Sequence, residues 1–260
     1  MSELKFEYSS KTNIGSREEQ QDAIKVFSKD GVCAAVVCDG MGGLAGGAQA
    51  SRLTSEMLIG MLSEMQEGTD IPDFFLRSID ILDEAVFSLC DDEGEKLHAG
   101  TTVVSTYLTG SKLYWMSVGD SRLYIFRSDD MIQATRDHNY FLAMNSMAGE
   151  FTPTEDDISN GNALISFIGI GGIEVMDISN NPIDVFAGDR LLLTTDGLFK
   201  VLTDDEIKDI IKSHESVDDA CEILLNEVLK REDELDNISF ILIKVSENKT
   251  EKENVSDETD

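Results

Sequence analysis

Two hydrophobic periods divide this chain into regions. Over 48–67, Leu53, Met57, Met61 and Met65 recur at every fourth position, and over 72–90, Phe75, Ile79, Leu82, Val86 and Leu89 share one face. Both stretches therefore predict amphipathic helices packed on a core. Pro72 stands where a first helical turn tolerates its missing N–H. Further on, Thr203-Asp204-Asp205-Glu206 has the spacing of a capping box and opens a helix through Ile207, Ile210 and Ile211. Ser216 to Asp219 opens another, with Ile223, Leu224 and Val228 on one side. Between these helical regions the period drops to that of strands. Runs at 101–108 and 113–118 flank Thr109-Gly110-Ser111-Lys112, and runs at 122–127 and 131–135 flank Ser128-Asp129-Asp130. Consecutive hairpins mean antiparallel pairing. Further strands are expected at 23–28, 32–39, 163–167, 190–195 and 237–245. Helices and strands do not alternate, which disfavours a doubly wound parallel sheet. The pattern suits an antiparallel β core covered by helices.

Charge changes this picture most. The 260 residues carry 21 Lys and Arg against 51 Asp and Glu, a formal net charge of −30. Such a field repels nucleic-acid backbones and anionic membranes, so neither is an expected partner. An anionic substrate needs a local positive centre, which a bound metal ion supplies where basic residues are scarce. The longest apolar run, 32–38, is far short of the ~18 residues of a membrane helix. The first ten residues lack the basic and apolar regions of a signal peptide. Cys33, Cys38, Cys90 and Cys221 form no CxxC, and at odd spacing Cys33 and Cys38 face opposite sides of one strand. Buried, reduced thiols in a cytoplasmic protein are the expectation.

A recurrence among the acids carries the chemistry. Asp39 before Gly40, Asp120 before Ser121 and Asp196 before Gly197 each end an apolar strand with a small, turn-forming residue following. Asp22 and Asp236 mirror this at strand beginnings. Any one alone reads more readily as a plain turn than as a site. Jointly, strand ends gather at the edge of a β core, where several carboxylates can converge. Two carboxylates ~4 Å apart repel by ~4 kcal/mol at an effective dielectric of about 20. Such a cluster must be protonated or filled with metal. Oxygen ligands without a His or Cys set select Mg²⁺, Mn²⁺ or Ca²⁺, and there is no EF-hand spacing to favour Ca²⁺. A carboxylate-bridged metal pair holds an oxyanion and lowers the pKa of water, the requirement of phosphate-ester hydrolysis. Glycines at 40, 42, 43, 46 and 47 let the backbone approach such a centre. Gly40-x-Gly42-x-x-Ala45 also matches a dinucleotide-binding turn. There, however, Asp39 would face a pyrophosphate unneutralised, and the segment roughly twenty residues on reads as helix rather than as a strand offering an acid to a ribose.

At this point the chain resembles the metal-dependent Ser/Thr protein phosphatases of type 2C (PPM-type), in their bacterial form. The resemblance rests on motifs in family order: Arg17 to Asp22, Asp39 to Gly43, Gly100-Thr101-Thr102, Gly119-Asp120-Ser121-Arg122, Thr135-Arg136-Asp137-His138, Asp189 to Gly197, and Asp236-Asn237. It implies an α+β fold, a four-layer αββα sandwich of two antiparallel sheets flanked by helices. One phosphatase domain over 1–246 would precede an acidic, disordered tail at 247–260. It also implies two Mn²⁺ or Mg²⁺ ions with a third, weaker one, a water nucleophile and no phosphoenzyme. Asp39 matches the acid bridging the two metals and Gly40 the carbonyl ligand beside it. Asp196 and Asp236 match ligands of one metal, Asp22 an acid holding water at the metals, and Asp120 an acid binding the third ion together with Asp196. Arg17 matches the phosphate-binding arginine, so Arg17 and Asp39 are the expected catalytic residues. A phosphoprotein substrate, an opposing Ser/Thr kinase and a monomeric state follow from the same resemblance. A catalytically weak or dead binding module is the alternative.

The chain departs from the family pattern at Gln20-Gln21, at Met41 in place of a histidine common in eukaryotic members, at Asn139, and at Ser166 in place of an arginine. Met41 cannot donate a proton to a leaving group. His138 is expected to be structural. The polar stretch 139–162 corresponds to a flap beside the family's active site.

Overall fold

Strands β2 (Asp22–Lys29) and β3 (Val32–Met41) form the hairpin around which the rest is arranged. The computed structural model describes residues 4–42, 46–146, 161–231 and 234–248. Gly43 of the glycine-rich motif, most of the expected flap and residues 249–260 of the expected tail lie outside the described residues. β3 pairs next with β5 (Val103–Thr109), and β5 with β6 (Lys112–Val118), which carries β9 (Asp177–Ile178) and β10 (Ile183–Asp184) on its far edge. The short β4 (Gly100–Thr101) pairs with the end of β3. A second sheet runs β1 (Leu4–Asn13), β12 (Ile238–Glu247), β11 (Arg190–Thr194), β7 (Arg122–Arg127), β8 (Asp130–Gln133). Every pairing is antiparallel.

Three apolar clusters account for four layers. Cys33, Ala35, Val37, Val104, Leu123, Leu191, Leu193, Ile241 and Ile243 fill the space between the sheets. On the outer face of the first sheet, Ala34, Val36 and Cys38 pack against α1 (Gly46–Ser63) and α2 (Ile71–Phe87). Outside the second, Leu192, Phe240 and Leu242 pack against α5 (Asp204–Ser213) and α6 (Val217–Leu229). The alternation of β3 thus sends Cys33 and Cys38 into different layers. All four cysteines are free thiols, and Cys90 is exposed rather than buried. The short α3 (Tyr140–Ser146) and α4 (Asp196–Phe199) follow β8 and β11. Among the described residues no helix is long and apolar enough to cross a membrane.

The local signals act as their chemistry dictates. Asp70 caps α2 by accepting from the Asp73 N–H, just before Pro72. The capping box at Thr203 and Glu206 is formed in both directions. In α2 the expected stripe Phe75, Ile79, Leu82 and Val86 is fully buried. In α1 the deepest face is Ala50, Thr54, Leu58 and Leu62, one step round from the expected methionines, which flank it. Small residues let this helix lie close on β3. The strand expected at 163–167 does not form; that stretch makes one isolated bridge, Asn139 to Leu164, and Ile168 just beyond it bridges Thr101.

Candidate functional site

The ends of β3, β6 and β11 and the starts of β2 and β12 meet at one edge of the sandwich. Asp22 and Asp39 are direct cross-strand partners. The Asp39 backbone is pinned on both sides: its N–H donates to Thr102 Oγ1 at 2.9 Å, and its carbonyl accepts from Thr102 N at 2.8 Å and Thr101 Oγ1 at 2.9 Å. Thr102 Oγ1 is itself 2.7 Å from Ser121 Oγ, beside Asp120. Gly40 donates to the Gln21 carbonyl at 3.0 Å, and a Cβ there would lie 2.2 Å from the Gly47 carbonyl oxygen, so only glycine fits. Asp120 follows Gly119, whose φ of 104° makes the turn. His138 holds that turn: its N–H donates to the Gly119 carbonyl at 3.0 Å, and its Nδ1 accepts from the Gly119 N–H at 3.1 Å. His138 is fully buried, which makes it structural rather than a base in the cleft.

Asp196 opens α4 directly after β11, and Asp236 precedes β12. Asn237 fixes the approach of the Arg17 loop. Its side chain donates to the Ile14 and Glu19 carbonyls at 2.9 and 3.1 Å and accepts from the Gln21 N–H at 2.7 Å. Arg17 Nη2 then donates to Asp236 Oδ2 at 2.8 Å. On the opposite side Lys200 pairs with Asp196.

Arg17, Asp39, Gly40, Asp120, Asp196, Lys200 and Asp236 line one cleft of about 560 Å³. Asp22 sits behind it, 8% exposed, on an adjoining cavity of about 540 Å³, with Oδ2 accepting from Thr195 Oγ1 at 2.9 Å. Burial and then the charges of Asp22, Asp196, Asp120 and Asp236 push the Asp39 pKa well above the usual carboxylate range. Burial lifts Asp22 to about 7 against hydrogen bonds from Ser239 and Thr195, with Asp196 and Asp236 adding to the rise. Asp120 is lifted to about 6 by burial and then by Asp196, while the Lys200 charge acts the other way. Two buried oxygens, Asp22 Oδ1 and Asp196 Oδ1, have no hydrogen-bond partner.

This donor set fits hard divalent cations. Every donor is oxygen, the acids repel one another at a partly desolvated edge, and orphaned oxygens are buried on Asp196, which lines the cleft, and on Asp22 behind it. Among the described residues no three His, Cys, Asp or Glu side chains stand in ligating geometry. Instead Asp236, Asp196 and Asp22 are turned onto Arg17, Lys200 and Thr195. Lys200 stands outside the sequence motifs, whereas Thr102 and Asn237 stand within them and only the structure gives their anchoring roles. The signal for Lys200 is its place four residues after Asp196 on a helical turn.

The protein phosphatase 2C family model matches residues 11–237. A serine/threonine phosphatase, stp, of Listeria welshimeri is 28% identical over 237 residues, covering 87% of this chain and 90% of the relative. The solved serine/threonine phosphatase of S. agalactiae superposes with a TM-score of 0.77 at 27% identity, covering 92% of this chain and 99% of that one. The catalytic domain of the serine/threonine phosphatase PstP, solved in complex with two manganese ions, gives a TM-score of 0.75 at 24% identity, covering 94% and 100%. The match spans the strand ends that bring the aspartates together as well as the Arg17 loop, and the chain belongs to the protein phosphatase 2C family.

Proposed function

We propose that this chain is a metal-dependent protein serine/threonine phosphatase that hydrolyses phosphoserine and phosphothreonine esters, with Mn²⁺ or Mg²⁺ as cofactor. The observation that carries the reading is the convergence of five aspartates at one sheet edge, with Arg17 at its rim. Asp39 and the Gly40 carbonyl would hold two ions between them, Asp196 and Asp236 would complete one of these, and Asp22 would hold water beside them. Ions bound there supply positive charge for the phosphoryl oxygens and lower the pKa of water.

The protein's own groups do the positioning. Thr101 and Thr102 fix the Asp39 backbone, so its carboxylate is set before substrate arrives. Arg17 is exposed enough to exchange Asp236 for a phosphoryl oxygen, which its planar fork suits. Met41 lines the cleft but has no proton to give, so the leaving alkoxide is protonated by water or by another group. An inactive binding module finds no support, since all five acids are present and gathered.

A net charge of −30 fits a protein substrate better than a nucleic acid or a membrane surface. An opposing Ser/Thr kinase, a cytoplasmic location and a monomeric state belong to the same proposal. The test is turnover of p-nitrophenyl phosphate and of a phosphothreonine peptide by the full chain with Mn²⁺, with EDTA, and after Mn²⁺ is restored. Activity that Mn²⁺ supports and EDTA silences reversibly is expected; no turnover under any of these conditions overturns the reading.

A further inference from the structure

Among the described residues, Lys200 and Arg17 are the two basic residues lining the cleft. Its place follows from local geometry. The Lys200 N–H donates to the Asp196 carbonyl at 2.9 Å, closing the single turn of α4, so the two side chains stand at i and i+4 on one face. With the acid first, that order favours pairing, and the ammonium bonds Asp196 Oδ2. Burial pulls the Lys200 pKa down. The Asp196 hydrogen bond, followed by the charges of Asp196, Asp120 and Asp39, carries it above its ordinary value. The ammonium and the Asp120 carboxyl line the same cleft.

The two oxygens of Asp196 have different fates. Oδ2 is held by Lys200, while Oδ1 is buried with no hydrogen-bond partner. One oxygen is thus left for an ion, and the other is taken by the protein's own cation. Resting on the phosphatase reading above, we propose that Lys200 is a tethered cation that closes the Asp120–Asp196 end of the cleft to divalent ions and limits the metal centre to two. A tethered group competes at an effective concentration of the order of millimolar. A free ion at that end has to displace it from the two acids.

The experiment counts Mn²⁺ bound per chain by equilibrium dialysis, with free Mn²⁺ read by electron paramagnetic resonance, in the absence of substrate. The wild-type chain is expected to saturate at two ions. Lys200→Met keeps the apolar stem and removes the charge, and should take up one further, weaker ion. That ion should be lost again when Asp120→Asn is added, and Lys200→Arg should stay at two. A wild-type chain that binds more than two ions, a Lys200→Met chain that binds the same number as wild type, or an extra ion that survives Asp120→Asn each overturns the inference while leaving the phosphatase reading intact. A wild-type chain that binds no Mn²⁺ overturns both. Lys200 is half-exposed, so its variants keep the fold, and unchanged far-ultraviolet circular dichroism verifies this.

Discussion

Asp22 and Asp39 stand directly opposite each other across the β2–β3 ladder. Like charges in that relation are destabilising. The fold keeps them together for what they bind. Asp39→Asn keeps the shape and removes the charge. Mn²⁺-dependent turnover should fall by at least about 100-fold, since altering even an outer-shell partner of a metal typically costs 10–100-fold. The metal-free variant should melt higher than metal-free wild type, because the repulsion is gone. Full activity in this variant would show that Asp39 holds no ion.

Arg17 and Asp236 test the substrate side of the cleft. The guanidinium spans 219 positions of sequence to reach the carboxylate at 2.8 Å, through a loop that Asn237 anchors. Arg17→Ala should raise KM for phosphopeptides by about 10-fold to 100-fold, the worth of one hydrogen bond between charged groups, and should change kcat less. Arg17→Lys should recover only part of this, because an ammonium lacks the planar fork. Steady-state kinetics at saturating Mn²⁺ read both. An unchanged KM in Arg17→Ala would assign the phosphate to another group.

The raised carboxyls set a pH dependence whose sign is opposite to that of an ordinary ion-paired acid. In the folded, metal-free chain Asp22 titrates at about 7 and Asp120 at about 6, both above the ordinary value of 3.8. Between that value and these the folded state binds more protons than the unfolded one. Stability of the metal-free protein should therefore fall as pH rises from about 4 to about 7, and be greatest at the acid end of that window. Mn²⁺ needs the ionised acids, so its binding should release protons and its stabilising effect should grow over the same window. Thermal melts in EDTA and in Mn²⁺ across this range show both trends. A metal-free chain that gains stability as pH rises through the window would contradict the arrangement of the acids.

How far the sequence carries depends on whether a feature is marked locally. Asp39, Asp120 and Asp196 are legible because each ends an apolar strand before a small residue, and their order along the chain places them at one edge. The capping box at Thr203 is legible for the same reason. Strand β1 is not, because it is an edge strand with Phe6 as its only buried apolar residue, and β12 supplies its pairing from the other end of the chain. The stretch 163–167 has a strand's composition, but its backbone bonds are shared between the 138–141 segment and Thr101, so no ladder forms. In α1 the apolar period marks the methionines, whereas close approach to β3 selects Ala50 and Thr54, small residues that a hydrophobic count undervalues. Asn237 lies within a recognised motif, but its anchoring role appears only when its distant partners at Ile14, Glu19 and Gln21 are in place.

Asp83 shows the same limit and gives a test that leaves the metal ligands alone. It sits on α2, 6% exposed, and its carboxylate accepts from the backbone N–H groups of Gly169 at 2.7 Å, Gly171 at 3.2 Å and Gly172 at 2.7 Å. All three glycines have positive φ, so the turn depends on the acceptor that gathers it. The turn reaches the site through Thr101, which exchanges two backbone hydrogen bonds with Ile168 while its hydroxyl donates to the Asp39 carbonyl. Asp83→Ala strands these donors, and the loss should be about 3 kcal/mol. In a chain of this size that corresponds to a fall of roughly 10 °C in Tm. Asp83→Asn keeps one carbonyl acceptor and should lose less. Mn²⁺ affinity should fall far less in either variant than in Asp39→Asn, because Asp83 acts on the backbone behind the ligands and not on the ions. Paired melting and Mn²⁺-binding measurements separate the two effects. An Asp83→Ala chain that melts like wild type would mean that the glycine turn is held by something other than this carboxylate.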